Sequence, residues 1–263
     1  MNQVQFADKV KTILEVDDHV IGLAVGGSWL SNQLDEFSDL DLVIVTETKI
    51  TDNKSRMLAY AEKFGNLLSA FTGEHVGEPR LLVCLYDDPL LHVDLKFVTL
   101  EEFAVRIEDP FILLDKNDRL SNALKSTEAK FPFAGYQWME DRFWTWVHYM
   151  LAKIGRGEYL EALDAFGILR MLVLAPLLHK KNNNLPRGVR RVEQELAESD
   201  LEELKRTIPH YSRQSLLDSL SQAVELYRKL RVELFEEHII LRKETEGRVM
   251  HYFNEIKSMS TSD

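Results

Sequence analysis

A glycine turn followed by an acidic strand most constrains how this chain of 263 residues can fold. The turn, Gly26-Gly27-Ser28, follows the apolar run Val20–Val25, and Asp39 comes after a spacer of ten residues. Alternate residues of a strand point to the same side, so Asp39 and Asp41 should project together while Leu40 enters a core. The N–H groups of such a turn suit a phosphate, and paired carboxylates suit a divalent cation. The pattern therefore predicts a site where both meet.

A third acid, Asp94, lies in a later segment in which apolar and polar residues alternate strictly. Such alternation predicts a strand with one buried face. His92 and Lys96 share the polar face with Asp94, and we interpret His92 as structural. If this strand lies beside the acidic strand, Asp94 joins Asp39 and Asp41 in one cluster. Together with the glycine turn, the cluster indicates phosphoryl or nucleotidyl transfer.

These motifs resemble the signature of the DNA polymerase beta-type nucleotidyltransferase superfamily. That signature is a hydrophobic residue, Gly, Gly or Ser, a short spacer, Asp, a hydrophobic residue, Asp or Glu, and a distant third Asp. Gly27-Ser28, Asp39-Leu40-Asp41 and Asp94 match it, and the resemblance covers roughly residues 15–100. In length and layout the whole chain is most similar to the small antibiotic nucleotidyltransferases that adenylylate aminoglycosides or lincosamides.

The resemblance implies an enzyme in which an acceptor hydroxyl attacks the α-phosphate of ATP, or of another nucleoside triphosphate, and releases pyrophosphate. It implies two Mg²⁺ ions, held by Asp39, Asp41 and Asp94. Gly26-Gly27-Ser28 would contact the β- and γ-phosphates, where small residues allow close approach. Lys96 would reach a phosphate or orient Asp94.

A general base for the acceptor hydroxyl is sought among carboxylates of the second half, because antibiotic-modifying relatives can use one. The candidates are Glu158, Glu161 and Asp164 at the start of one predicted helix, and Glu161 is the one assigned to catalysis. The expected acceptor is a small molecule, with an aminoglycoside or a lincosamide antibiotic as the leading choice. The implied biological role is antibiotic resistance.

The formal net charge of −11 is concentrated in the first half of the chain. Residues 1–133 hold 13 Lys and Arg against 23 Asp and Glu. Such a surface repels DNA and RNA and attracts a small cation, which favours an amine-bearing acceptor and argues against a nucleic-acid partner. That the acidity serves only solubility stays open. The enzyme is expected to be a monomer or a homodimer.

The hydrophobic pattern divides the chain into an α/β (α+β) nucleotidyltransferase domain with a mixed sheet, residues 1–133, and an all-α helical bundle, residues 134–263, that binds substrate. An amphipathic helix is predicted from Thr51 to Phe71. A second bundle helix is predicted over 158–179, with Pro176 kinking it or ending its regular hydrogen bonding. Other predicted elements are a helix at 4–15, a short helix near 29–34, strands at 20–25, 40–46, 81–86, 91–98 and 111–114, and a capped helix from Thr99.

Cytoplasmic location is expected from cysteine usage and hydropathy. The single cysteine, Cys84, lies in an apolar segment and is predicted to be buried, so a disulfide framework is excluded. The N-terminus lacks the features of a signal peptide, and apolar runs are too short to span a membrane.

Two other functions fit the same motifs. One is a protein adenylyltransferase of toxin–antitoxin type, which would modify a protein hydroxyl. The other is a non-catalytic regulator that binds a nucleotide. Loss of a metal-binding acid would indicate a regulator, and Asp39, Asp41 and Asp94 are all present.

Overall fold

The computed structural model describes residues 2–31 and 34–259, and it forms two compact units, Met1–Phe131 and Pro132–Asp263. The elements of the first unit are α1 Gln3–Glu15, β1 Val20–Val25, β2 Leu40–Thr46, α2 Lys54–Phe64, β3 Asn66–Gly73, β4 Glu78–Asp87, β5 Leu91–Thr99, α3 Leu100–Ala104, β6 Phe111–Asp115 and α4 Arg119–Ser126. Within the described residues the strands form one six-stranded sheet in the order β3-β4-β5-β2-β1-β6. The β2–β5 pair is parallel and the other pairs are antiparallel. The predicted mixed sheet is confirmed.

One face of the sheet is covered by α1 and α2, which complete its main core. The opposite face carries the acids, and α3 and α4 pack on it towards the C-terminal ends of β2 and β5. There Val45 and Val98 pack with Phe103 and Leu120 in a smaller core. The acids lie at the opposite ends of β2 and β5 from this smaller core. Alternation in β2 and β5 places Leu40, Leu42, Ile44, Val93, Leu95 and Phe97 in the main core.

The start of α3 was readable from the sequence because it is a capping box. The Thr99 side chain accepts a hydrogen bond from the Glu102 backbone N–H, and the Glu102 carboxylate accepts one from the Thr99 N–H. Two N–H groups that a helix start leaves unpaired are thereby satisfied. The predicted capped helix is confirmed.

The helix predicted from Thr51 to Phe71 is wrong at both ends. The Asn53 side chain caps α2, and the helix ends at Phe64. After Gly65 the chain forms the edge strand β3, hydrogen-bonded to β4, and Phe71 lies half-exposed on it. The apolar spacing imitated a longer helix, and antiparallel pairing with β4, the next strand along the chain, overrode it.

The second unit is helical throughout its described elements, which confirms the predicted helical half. Its helices are α5 Tyr136–Gly155, α6 Tyr159–Leu169, α7 Ala175–Lys181, α8 Val192–Glu195, α9 Glu198–Lys205, α10 Arg213–Leu234 and α11 Lys243–Ser258. The apolar face of α5 packs into the core, with Met139, Phe143, Met150 and Ile154 each no more than 1% exposed.

The predicted break in the second bundle helix lies just before Pro176. Residues Arg170–Leu174, between α6 and α7, have π-helical hydrogen bonding. Pro176 has no N–H to donate to the preceding turn, so regular α-helical bonding cannot continue through it. The interruption confirms the prediction made from Pro176.

The helical run Tyr159–Lys181 is long and apolar enough to cross a membrane by length and composition. Its most apolar window of 18 residues has a mean hydropathy of 1.6, and 56% of that window is buried inside the protein. Burial of this extent is typical of a helix in the core of a bundle. Alone it is weak evidence for a membrane span.

A buried carboxylate, that of Glu140, links the first helix of the second unit to α10 and to the segment before α11. Glu140 on α5 is 1% exposed and accepts hydrogen bonds from the Tyr227 hydroxyl at 2.6 Å and the Arg242 N–H at 2.8 Å. Its contact with Arg231 is 3.4 Å. Burial, followed by the bond to Glu140, raises the pKa of Tyr227. These contacts join α5, α10 and the segment before α11.

We expect Glu140→Ala to lower the free energy of unfolding by about 3 kcal/mol, because the buried Tyr227 hydroxyl loses its partner and the partly buried Arg231 guanidinium loses one of two carboxylates. The urea midpoint, followed by tryptophan fluorescence, measures the change. Glu237→Ala, at an exposed position of the same unit, should stay within about 0.5 kcal/mol of wild type. Equal midpoints for the two variants would contradict the prediction.

Candidate active site

Parallel pairing of β2 and β5 brings the three predicted acids together. Asp41 is the register partner of Asp94, and Asp39 immediately precedes β2. One carboxylate oxygen from each acid lies within 4.8 Å of the other two, and all three residues are partly buried. The cluster predicted from the alternating strands is therefore present.

The glycine turn is joined to the acidic strand by its backbone. The Gly26 N–H donates to the Asp41 carbonyl oxygen at 3.0 Å. Gly27 has a φ of +61°, in the left-handed region that favours glycine. A Cβ at Gly27 would lie 2.0 Å from Asp41 Oδ2, closer than any real contact. Glycine is thus required for the Asp41 carboxylate to lie where it does.

This bond changes the role expected for the first glycine. The Gly26 N–H is one of the groups predicted to contact a phosphate, and it donates this hydrogen bond to β2 instead. A 3-10 helix, Gly27–Ser31, replaces the short helix predicted near 29–34, and residues 32 and 33 of that prediction lie outside the described residues. The backbone N–H groups of Gly27 and Ser28 are the better candidates for a phosphate contact.

Lys96 belongs to a group of charges next to the acids. Its Nζ lies 2.8 Å from Glu78 Oε2, and Arg80 Nε donates to Glu78 Oε1 at 2.7 Å. The hydrogen bond from Arg80, and then that from Lys96, lowers the pKa of Glu78 to about 2. An ammonium group has three N–H donors, so Lys96 can contact a phosphate while it keeps this carboxylate, and its role in binding the nucleotide stays a prediction.

Glu161, the candidate general base, lies on α6 in the second unit. It pairs with Lys153 at 2.8 Å and accepts a hydrogen bond from the Tyr149 hydroxyl. These two bonds, with Lys153 the larger cause, lower the pKa of Glu161. Glu158 shares Lys153, at 2.6 Å. A low pKa disfavours proton uptake at neutral pH, and the catalytic role of Glu161 stays a prediction.

Two further side chains lie beside the site. His92 Nε2 is 3.0 Å from Asp94 Oδ1, and the two residues share one face of β5, as predicted. Glu108 was not singled out from the sequence. Its Oε1 lies 3.9 Å from the position that a Cβ on Gly26 would occupy, the same distance as the Asp41 Cβ. Pairing of β6 with β1 brings the loop that carries Glu108 to the turn, and no local pattern signals it.

The donor atoms of the cluster fit Mg²⁺. Asp39, Asp41 and Asp94 offer only carboxylate oxygens, the ligand type that hard cations prefer. The glycine turn beside them carries N–H groups that suit phosphate, the other usual ligand of bound Mg²⁺. The arrangement suits chemistry on a phosphate ester held against a divalent cation.

The chain matches a known family over nearly its whole length. A sequence model of the streptomycin adenylyltransferase family matches residues 2–256. Similar solved structures include an aminoglycoside 6-adenyltransferase from Bacillus subtilis, with 18% identity over 98% of this chain and 100% of that one, and a TM-score of 0.41. A nucleotidyltransferase-like protein from Exiguobacterium sibiricum has 11% identity over 97% and 89%, with a TM-score of 0.33. A spectinomycin adenyltransferase from Enterococcus faecialis, solved with ATP and spectinomycin, has 11% identity over 98% and 100%, with a TM-score of 0.32. A search of curated proteins found no match.

Proposed function

The chain belongs to the streptomycin adenylyltransferase family and is a nucleotidyltransferase, and we propose that it transfers AMP from ATP to a hydroxyl group of a small cationic molecule. The observation that carries the proposal is the position of Asp41. This residue lies opposite Asp94 in the register and against Gly27 of the turn, so one carboxylate joins the candidate cation site to the candidate phosphate site.

Asp39, Asp41 and Asp94 would hold Mg²⁺, and two ions are proposed. When bound, Mg²⁺ neutralises charge on the triphosphate and lowers the pKa of the attacking hydroxyl. The oxygen of that hydroxyl forms a bond to the α-phosphorus, the bond from the α-phosphorus to the bridging oxygen breaks, and pyrophosphate leaves. The hydroxyl proton passes to a carboxylate, for which Glu161 remains one candidate.

Gly27 and Ser28 would hold the triphosphate through backbone N–H groups and the Ser28 hydroxyl. Such donors are fixed before the substrate arrives, so they cost little reorganisation during the reaction. Their alignment depends on the left-handed conformation at Gly27 and on the bond from Gly26 to β2.

The proposed acceptor is an aminoglycoside related to streptomycin, because the family is named for adenylyl transfer to streptomycin. A lincosamide is the second choice. The acidic first half of the chain supports a cationic acceptor, because a negative surface concentrates cations near it. We propose that the enzyme acts in the cytoplasm as a monomer or a homodimer and confers antibiotic resistance.

Label transfer tests the proposal. The protein is incubated with Mg²⁺, a nucleoside triphosphate labelled at the α-phosphate, and streptomycin, other aminoglycosides, lincosamides or candidate proteins. We expect label on one small acceptor, with ATP the preferred donor. Label on a protein would replace this proposal with the protein adenylyltransferase. Nucleotide binding without transfer to any acceptor would favour a regulator.

We expect removal of divalent cations to stop the reaction. EDTA should reduce label transfer to background, because the triphosphate charge would face three carboxylates without a cation between them. Excess Mg²⁺ should restore the rate, whereas Ca²⁺, which accepts looser coordination, should restore less of it. Unchanged transfer in EDTA would contradict a metal role for the three acids.

A further inference from the structure

We propose that His92 is a positioning residue that orients the carboxylate of Asp94 towards the bound cation. His92 Nε2 lies 3.0 Å from Asp94 Oδ1, and the two residues are two apart on one face of β5. The imidazole is half-exposed and the carboxylate is partly buried. The inference rests on the metal site proposed above and adds a function for a residue that the transfer reaction itself does not use.

The chemistry of the pair defines the direction of the hydrogen bond. An ionised carboxylate can only accept, so the proton must lie on Nε2 of the imidazole. A donor bound to Oδ1 restricts rotation of the Asp94 carboxylate about its Cβ–Cγ bond. It also draws electron density away from one of three carboxylates that repel one another within 4.8 Å.

The sheet register makes this orientation matter. Asp94 lies opposite Asp41 in the parallel pair, so a rotated carboxylate at Asp94 would change the shape of the cluster with no change in the backbone. In metal sites, partners that hold the ligands typically contribute about 10–100-fold to metal affinity or activity. His92 has the position and the donor atom for this role.

Three substitutions separate hydrogen bonding from simple side-chain loss. His92→Gln can place an amide nitrogen near the position of Nε2, whereas His92→Asn is too short to do so and serves as its matched control. His92→Ala removes the donor entirely. His19→Ala, at an exposed position in the same unit, controls for the loss of any surface imidazole. Binding of Mn²⁺ alone, followed by the loss of the free-ion EPR signal, provides a readout independent of turnover.

We expect His92→Ala and His92→Asn to weaken Mn²⁺ binding by about tenfold and to lower kcat by about 10–100-fold, with the KM for ATP changed less. His92→Gln should recover most of the affinity, and His19→Ala should match wild type. Equal loss in the Gln and Asn variants, or no loss in any of them, would overturn the positioning role.

A double-mutant cycle with Asp94→Asn decides whether His92 acts through Asp94. If it does, adding His92→Ala to Asp94→Asn should change Mn²⁺ affinity by less than about twofold, although His92→Ala alone costs about tenfold. Additive losses would assign His92 a separate structural effect and overturn the proposal. If the three acids do not bind a metal at all, the result is different. Wild type would then bind no Mn²⁺, or Asp94→Asn would leave Mn²⁺ binding unchanged.

Discussion

Asp41→Asn will lower kcat for nucleotidyl transfer by at least about a thousandfold, equivalent to roughly 4 kcal/mol of transition-state stabilisation. The amide has nearly the shape of the carboxylate but carries no charge, so it is a poor ligand for Mg²⁺. The backbone bond from Gly26 to the Asp41 carbonyl does not involve the side chain and should persist. The variant therefore removes a charged metal ligand and leaves the backbone of the turn in place.

The stability of this variant gives an independent check. Three carboxylates within 4.8 Å repel one another in the absence of a cation, so Asp41→Asn should keep or raise the melting temperature of the metal-free protein. Asp39→Asn should behave in the same way. Asp52→Asn, at an exposed acid paired only with Lys49 among the described ion pairs, should retain turnover. Turnover of Asp41→Asn within tenfold of wild type would remove Asp41 from the proposed metal site.

The strands that hold the site were predictable because their signal is local. The bounds of β1 and β2 match the prediction, and alternation around Asp94 identified β5 together with the side on which its acid lies. An apolar face of period two is required wherever one side of a strand enters a core, so such strands can be read without knowledge of their partners. Their adjacency was an assumption that the register confirms.

The features of the fold and the site that could not be predicted depend on contacts between separate segments of the chain. The strand β3 was interpreted as the end of a helix, because local spacing favoured a helix through Phe71. Among the described residues β3 pairs with β4 alone, the next strand along the chain. The helix α4 was not predicted. Glu108 reaches the glycine turn only because β6 pairs with β1. The ion pair between Lys96 and Glu78 joins residues on neighbouring strands, and no short sequence motif predicts it.

Gly27→Ala should reduce kcat by about 100–1,000-fold, through a displacement of Asp41 of about 1 Å that upsets its alignment with the substrate. The methyl group would lie 2.0 Å from Asp41 Oδ2 and 3.1 Å from its Cγ, so either the carboxylate or the turn must move. The left-handed conformation at residue 27 costs alanine a further 1–2 kcal/mol or so. We therefore expect lower stability as well as lower activity, in contrast to Asp41→Asn.

Gly26→Ala is the matched control, because Gly26 differs from Gly27 both in the space available for a Cβ and in its backbone conformation. A Cβ at Gly26 would meet no atom closer than 3.9 Å, and its φ lies outside the left-handed range. Its loss of kcat should be at least tenfold smaller than that of Gly27→Ala, and Mn²⁺ affinity should fall only in the Gly27 variant. Steady-state label transfer and Mn²⁺ titration measure both effects. If the two variants were equally active, the packing of Asp41 against Gly27 would not be what positions this carboxylate, and the link between the turn and the cation site would have to be abandoned.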